Sequence, residues 1–316
     1  MNWKDKRVLI TGAAGFIGSH LTRRLVREGA RVHILLRKKG AAWRIADLLE
    51  LVTVWEADLT DFASLQQRLS GFPAQVIFHL AGHVDVGRSW DPVEPLIKNN
   101  IIGTVNLLMA LKDAGFESFV YPGTSEEYGN AAPPLCETQR ESPISPYSFS
   151  KLSAAAFCQM AAKTFDLPIT VLRLFPTYGP AQQGSMLIPA AIREFLAGRE
   201  FRMTHGEQRR DFMYVDDAVE AFLRIAAGEK AAGEVFNVGS GMPRKVRDVI
   251  DIITQYIGTE CRVLRGAIPC RKGEGDECYS NNQKIRECTG WAPTVSLEEG
   301  LRITVAWYKK YGHSPL

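Results

Sequence analysis

Residues 8–21 read VLITGAAGFIGSHL. Val8–Thr11 is apolar or β-branched throughout, without polar alternation. A strand of this kind is buried on both faces, as in a parallel sheet covered by helices. Glycines follow at 12, 15 and 18, and a helical pattern runs from Phe16 to Glu28 directly behind them. In such a strand–turn–helix the first glycine permits a tight turn and the second lets the backbone approach a pyrophosphate. The third lets the helix pack against the sheet, while the helix N-terminus offers free N–H groups to the anion. Gly12, Gly15, Phe16, Ile17 and Gly18 are therefore expected to line a dinucleotide.

The rest of the chain extends the pattern. Strands are expected at Val8–Thr11, Val32–Leu36, Val52–Glu56, Val76–Leu80, Phe119–Pro122, Thr170–Leu174 and Val235–Val238. Between them lie helical stretches at Phe16–Glu28, Phe62–Leu69, Glu94–Ala114, Ser148–Phe165 and Val215–Ala227. This alternation predicts an α/β fold, a Rossmann-type doubly wound parallel sheet. After about residue 174 the alternation loosens and Pro, Gly and Arg become frequent. The expected division is a dinucleotide-binding domain over 1–174, completed by about 211–240. A smaller C-terminal substrate-binding lobe then takes 175–210 and 241–316. The last helix, about Leu297–Lys310, places Leu297, Leu301, Val305 and Tyr308 on one face by three-to-four spacing.

Composition fits this picture and excludes others. The chain has 316 residues. That length makes two domains of ordinary size, or one large unit with a smaller lobe. The chain is 46% hydrophobic and 23% charged. Such a composition excludes a disordered or fibrous protein. A net charge of +3 is too mild for a nucleic-acid binder. The start, MNWKDKRVLITG, lacks the apolar core of a secretory signal. Its apolar runs fall far short of the roughly 20 residues that span a bilayer. Six cysteines without a CxxC pair read as reduced thiols in the cytoplasm. Cys270, Cys278 and Cys288 fit no usual zinc spacing, so no metal is expected.

The second strand bears on the cofactor. NAD binders usually carry an acid at its end, to hold the ribose 2′-OH. Here the strand runs into Arg37-Lys38-Lys39. Nothing there repels a 2′-phosphate and three cations attract one, which favours NADP over NAD. Arg37 and Lys38 are the candidate contacts. Asp58, followed by Leu59 after the third strand, either accepts a hydrogen bond from the adenine amino group or caps the next helix.

Ser145–Lys151 reads SPYSFSK and contains YxxxK. On a helix, Tyr147 and Lys151 share a face. A lysine ammonium there is expected to lower the Tyr147 pKa and make the phenol a general acid/base for an alcohol or carbonyl. The strand at Phe119–Gly129, FVYPGTSEEYG, ends in further reactive groups. Thr124 is placed to hydrogen-bond the reacting oxygen, with Ser125 beside it, and Glu126 to serve as a second base. The bland readings are a helix cap for Thr124 and Ser125 and a solvated pair for Glu126 and Glu127. For Glu127 the solvated reading is preferred.

Six motifs occur in order: TGAAGFIG, HLAG (His79–Gly82), TSEEYG, SPYSFSK, RLFPTYGP (Arg173–Pro180) and RRDFMYVDD (Arg209–Asp217). As a set they resemble the extended short-chain dehydrogenase/reductases that modify nucleotide sugars. That group holds 4-epimerases, 4,6-dehydratases and 4-ketoreductases. The resemblance runs from about residue 6 to 310 and implies catalytic roles for Thr124, Tyr147 and Lys151. It implies cofactor contacts from Leu80, Ala81 and Gly82, and an Asn100 that supports the active-site lysine through water. Arg210 and Arg271 are expected to grip the sugar nucleotide's pyrophosphate. Pro176 stands where many members carry a substrate-contacting asparagine, and Leu187 is a further expected substrate contact. The resemblance also implies a homodimer, paired through about Glu94–Ala114 and Ser148–Phe165.

All members share hydride transfer between C4 of the hexose and the nicotinamide. Glu126 sits where the dehydratases' C5 base resembles it. GTSEEYG and SNNQKIRECTGWAP resemble GDP-4-keto-6-deoxymannose reductases. Together with the basic turn at 37–39, this gives a 4-ketoreductase of an NDP-4-keto-6-deoxyhexose as the leading expectation. A 4,6-dehydratase or 4-epimerase is the alternative. A non-catalytic NADP-binding sensor or scaffold is a remote one, disfavoured by the Tyr147–Lys151 pair.

Overall fold

The structure is a computed structural model that describes residues 2–37, 42–228, 231–271 and 273–312. Its centre is a seven-stranded parallel sheet. The strands are β1 (Arg7–Thr11), β2 (Arg31–Leu36), β3 (Thr53–Glu56), β4 (Val76–His79), β5 (Ser118–Thr124), β6 (Ile169–Leu174) and β11 (Val235–Val238). Their order is β11-β6-β5-β4-β1-β2-β3. The chain winds outward from β1 to β3, then returns to place β4 on the other side of β1. The crevice at the ends of β1 and β4 is thus the point where winding reverses, the place where such sheets bind ligands. Register brings the strand ends level there: Thr11 pairs with Leu35 and with His79, and Thr124 with Leu174.

Helices cover both sheet faces, which is why the strands read apolar throughout. One core joins Val8, Ile10, Ile34 and Phe78 to α1 (Phe16–Arg27) and α7 (Val215–Ala227). Ile285 of α9 (Gln283–Thr289) completes it. The other joins Leu9, Ile77, Phe119 and Tyr121 to α4 (Gly103–Leu111) and α5 (Pro146–Phe165). A third core gathers Tyr178, Ile192, Phe195, Val249 and Ile253 from α6 (Leu187–Leu196) and α8 (Val246–Ile257) and the chain before them. It also receives Leu297, Leu301, Val305 and Tyr308, the expected face of α10 (Leu297–Tyr311). Small sheets surround that core: β7 (Thr177–Tyr178) with β10 (Met213–Tyr214), and β8 (Phe201–Met203) with β13 (Val263–Arg265). A third has β9 (Arg209–Asp211) between β12 (Pro243–Lys245) and β14 (Glu277–Cys278). Among the described residues no helix is long and apolar enough to cross a membrane. All six cysteines are free thiols.

The single helix expected over Glu94–Ala114 is broken. α3 (Val93–Leu96) passes through a π turn at Ile97–Ile102 before α4 begins. The wider turn accompanies side-chain bonds to the neighbouring backbone. Asn99 Nδ2 donates to the Pro95 carbonyl at 2.7 Å, and Thr104 Oγ1 to the Asn100 carbonyl at 2.6 Å. Such π turns concentrate at functional positions, and this one carries Asn100.

Candidate active site

The glycine turn has the shape a dinucleotide requires. Gly12 has φ +71°, and a Cβ there would lie 2.5 Å from the Ala81 nitrogen. A Cβ on Gly18 would lie 2.1 Å from the Gly12 carbonyl oxygen. The turn after β1, the loop after β4 and the start of α1 are therefore packed backbone to backbone. Gly15 is exposed and N-caps α1 without a side chain, and the first turn, Phe16-Ile17-Gly18-Ser19, carries no acid. The leading N–H groups of α1 are left for an anion, strengthened by the helix dipole. Phe16 and Ile17 pack against the third core. Leu80, Ala81 and Gly82 form the facing wall.

Just past the end of β2, the sheet neighbour of β1, Arg37 is exposed. Lys38 lies outside the described residues. Arg44 reaches the glycine turn: its Nη1 donates to the Ala14 carbonyl at 3.3 Å, and its Nε to the Ala181 carbonyl at 2.8 Å. Asp58 does not cap the next helix. Its carboxylate accepts the Thr60 N–H and hydroxyl, each at 2.8 Å. The cap of α2 (Phe62–Leu69) is Asp61. Leu59 packs against Gly103 of α4.

β5 and α5 present the reactive groups. Ser145 N-caps α5 in a capping box with Ser148, and Pro146 takes the first helical position. This start puts half-buried Tyr147 and buried Lys151 one turn apart on the face toward β5. The Lys151 Nζ lies 4.2 Å from the centre of the Tyr121 ring. Burial lowers its pKa to about 8, against a pull upward from Glu127. Tyr147 departs from expectation. Desolvation, then Glu126 and Glu127, push its pKa up, and the Thr124 side chain offsets only part of this.

Thr124, at the end of β5, is buried and N-caps a short 3₁₀ turn at Ser125–Tyr128. The cap reading therefore holds for Thr124, and it leaves the hydroxyl beside Tyr147. Ser125 is buried and faces Cys278, whose thiol burial pushes up to about 11. Glu126 is half-buried, and Ser145 Oγ donates to it at 3.4 Å. Burial raises its pKa, opposed by Arg271, Arg88 and Arg210.

The solvated reading of Glu127 fails. Its side chain is 0% exposed. It accepts the Thr124 N–H at 2.8 Å and the Arg173 Nε at 2.8 Å. Arg173 arrives from β6 and carries a second bond to Glu141. Its hydrophobic neighbours in sequence gave no sign of this pairing.

Asn100 is buried and bonds to α5 and to the loop after β4. Its Nδ2 donates to Ser150 Oγ at 2.8 Å and to the His83 carbonyl at 3.0 Å, and its Oδ1 accepts the His83 N–H at 2.7 Å. It thus ties the HLAG loop to α5. His79, the first residue of the HLAG motif, is fully buried between Thr11 and Thr104 at 2.6 and 2.9 Å. Burial, then Lys151, hold it neutral, with a pKa of about 3.

Arg210 lies on the central strand of the β12-β9-β14 sheet. Its Nη2 donates to Glu274 at 2.6 Å, and Glu274 also accepts the Arg271 N–H at 3.4 Å. One acid therefore joins the two arginines, with Arg271 exposed. Pro176 contributes its carbonyl to the Met213 N–H at 2.9 Å and has no polar side chain to offer. Leu187 opens α6, half-buried against the third core. A cavity of about 460 Å³ lined by Glu137, Gln159, Lys163 and Lys284 lies elsewhere and touches none of these residues.

Residues 8–239 match the NAD dependent epimerase/dehydratase family. The chain belongs to this family. A UDP-glucose 4-epimerase of Mycolicibacterium smegmatis is 34% identical, over 96% of this chain and 98% of its own. The solved UDP-glucose 4-epimerase of Thermotoga maritima, with UDP-glucose, is 32% identical at a TM-score of 0.89. That match covers 96% and 99% of the two chains. RMD of Pseudomonas aeruginosa, solved with NADPH, is 27% identical at a TM-score of 0.83, over 96% and 99%. This family member is an NAD(P)-dependent enzyme of the nucleotide-sugar epimerase, dehydratase and reductase group. Its glycine turn, uncapped α1 and flanking arginines fit that cofactor, which when bound supplies a hydride donor or acceptor at C4 of its nicotinamide.

Proposed function

We propose that the enzyme reduces the C4 carbonyl of an NDP-4-keto-6-deoxyhexose, with NADPH as the hydride source. The observation that carries this reading is the exit of β2. Arg37 stands there instead of a carboxylate, Arg44 flanks the glycine turn after the neighbouring β1, and Asp58 is folded onto Thr60. A guanidinium at the β2 exit and another on the adjacent glycine turn suit a 2′-phosphate. A cofactor chosen from the NADPH pool serves net reduction.

The residues then take these parts. Thr124 donates a hydrogen bond to the C4 oxygen. Tyr147, kept protonated by its desolvated, carboxylate-facing setting, donates its phenolic proton to that oxygen as hydride reaches the carbon. Lys151 holds a positive charge beneath the site, and Asn100 fixes the α5 turn that carries both. Arg210 and Arg271 hold the pyrophosphate, sharing Glu274. In this reading residues 1–174 and 211–240 hold the dinucleotide, and 175–210 and 241–316 hold the substrate. We further propose that it works in the cytoplasm as a homodimer. Ile97, Ile102, Met109, Phe149, Met160 and Phe165 expose apolar surface on the α3–α4 and α5 segments. A monomeric mass by light scattering at micromolar concentration would contradict the dimer.

A second reading, 4,6-dehydratase, draws on Glu126. A half-buried acid of raised pKa beside Tyr147 suits removal of a C5 proton. The test is a panel of UDP-, GDP-, CDP- and dTDP-sugars and their 4-keto forms, followed by NMR with and without NADPH. Stoichiometric NADPH consumption on a 4-keto sugar supports the reductase. Loss of water or inversion at C4 without net NADPH consumption would replace it with the dehydratase or the epimerase.

A further inference from the structure

The loop after β7 has no part in the scheme above, yet it is fastened beside the glycine turn from several sides. It spans residues 179–182, GPAQ, and runs on from the RLFPTYGP motif. Gly179 has no room for a side chain. A Cβ there would lie 2.6 Å from Val215 Cγ1 and 3.6 Å from Phe16 Cζ, at the start of α1. His20 of α1 donates from Nε2 to the Pro180 carbonyl at 3.0 Å. Tyr308 of α10 donates to the Gln182 carbonyl at 2.7 Å. The Ala181 carbonyl between them accepts the Arg44 Nε at 2.8 Å.

Arg44 is the side chain that reaches both loops. Its Nη1 donates to the Ala14 carbonyl at 3.3 Å, inside the glycine turn. It stands on a short 3₁₀ stretch, Trp43–Leu48. Arg23 of α1 ties that stretch down, donating from Nη2 to the Arg44 carbonyl at 3.2 Å and to Asp47 at 2.9 Å. The Arg44 guanidinium lies 4.4 Å from the centre of the Trp43 ring, which fixes its plane. Its two bonds go to backbone carbonyls on either side of the crevice. Ala14 sits among the cofactor glycines, and Ala181 lies in the 175–210 stretch. Bonds from a charged donor are roughly twice as strong as neutral ones.

We propose that Arg44 is a positioning residue for the dinucleotide: it straps the 179–182 loop onto the glycine turn, so that NAD and NADP alike are held by two joined loops. The strap uses Nε and Nη1 and leaves Nη2 for a 2′-phosphate. This role goes beyond the proposed function, since it serves either cofactor and any sugar.

The test uses the full-length protein. Hydrogen exchange is followed by mass spectrometry, without cofactor, in a peptide spanning residues 177–186, with α8 as the internal control. In Arg44→Met, which keeps the apolar stem, this peptide should exchange about tenfold faster while α8 is unchanged. NADH is then titrated by fluorescence. Lacking the 2′-phosphate, it reads the strap alone, and its Kd should rise about tenfold. Arg44→Lys keeps the charge but lacks the fork that reaches two carbonyls at once, so both readouts should fall between. Should exchange in Arg44→Met rise everywhere, α8 included, the comparison is made in Arg44→Lys. Unchanged exchange in both variants overturns the strap. Faster local exchange with NADH affinity unchanged overturns its role toward the cofactor, as does a loss of affinity confined to NADPH. None of these measurements uses a sugar nucleotide, so failure of the reductase reading would show separately, in the sugar panel.

Discussion

The two halves of the crevice are built from opposite materials. On the β1–β2–β4 side, the cradle is backbone: glycines at 12, 15 and 18, an uncapped helix start, and exposed Arg37. On the β5–β6–α5 side, charge is buried: Glu127 with Arg173, Lys151 above Tyr121, and Asp211 on β9. Asp211 is 0% exposed and accepts the N–H groups of Ser240, Gly241 and Ser280 at 2.7, 3.0 and 3.0 Å. The first half meets a ligand through shape and partial charges. The second holds full charges out of water, where each is felt strongly and tolerates little change.

This contrast predicts a ranking of substitutions. The largest effect belongs to Arg173→Met, which strands two acids. Stability should fall by about 3–5 kcal/mol in urea unfolding, the usual result of breaking a buried pair. A loss under about 1 kcal/mol would show that the buried half is not held by charge. Next comes Gly18→Ala, whose new methyl meets the Gly12 carbonyl. Overpacking of this kind costs about 1–3 kcal/mol. NADPH affinity, measured by fluorescence titration, should drop by at least tenfold because the turn itself must move.

Smaller again is Arg37→Ala. It touches an exposed group, so stability should hold, while preference for NADP over NAD falls by about tenfold, or about 1.4 kcal/mol. Unchanged preference in both Arg37→Ala and Arg44→Ala would remove the argument for NADP. The smallest effect is expected at Lys6→Ala. It breaks a partly exposed pair with Glu117 at 2.7 Å. Such pairs are worth about 0–1 kcal/mol, measured by the same urea unfolding.

The same contrast explains what the sequence could reveal. The glycine turn was legible because its requirement is local: a strand, three spaced glycines and a helix start all fall between Val8 and Leu21. YxxxK was legible because helical spacing alone puts Tyr147 and Lys151 on one face. Glu127 was not, since its burial depends on Arg173, which arrives from a different strand. Two adjacent acids without that partner read as a solvated pair. The π turn escaped for a similar reason: Asn100 is held by His83 and Ser150, which come from other elements. The rise in the Tyr147 pKa escaped because it comes from burial first and then from the acids of the Ser125–Tyr128 turn, neither of which the spacing on α5 reveals. The β9, β12 and β14 strands are too short to carry a period that could be detected.

The central claim is that Tyr147 delivers the proton to the C4 oxygen as hydride from NADPH reaches C4. Its most direct test is NADPH deuterated at the transferable position, mixed with GDP-, dTDP- and CDP-4-keto-6-deoxyhexoses and read by NMR. The unchanged enzyme should place one deuterium on C4 of the product for each NADPH consumed. Tyr147→Phe should cut that rate by about 10²–10⁴-fold, the usual contribution of a positioned acid. Deuterium arriving at C4 equally fast in Tyr147→Phe, or products formed from all three sugars with C4 free of deuterium, would contradict the account.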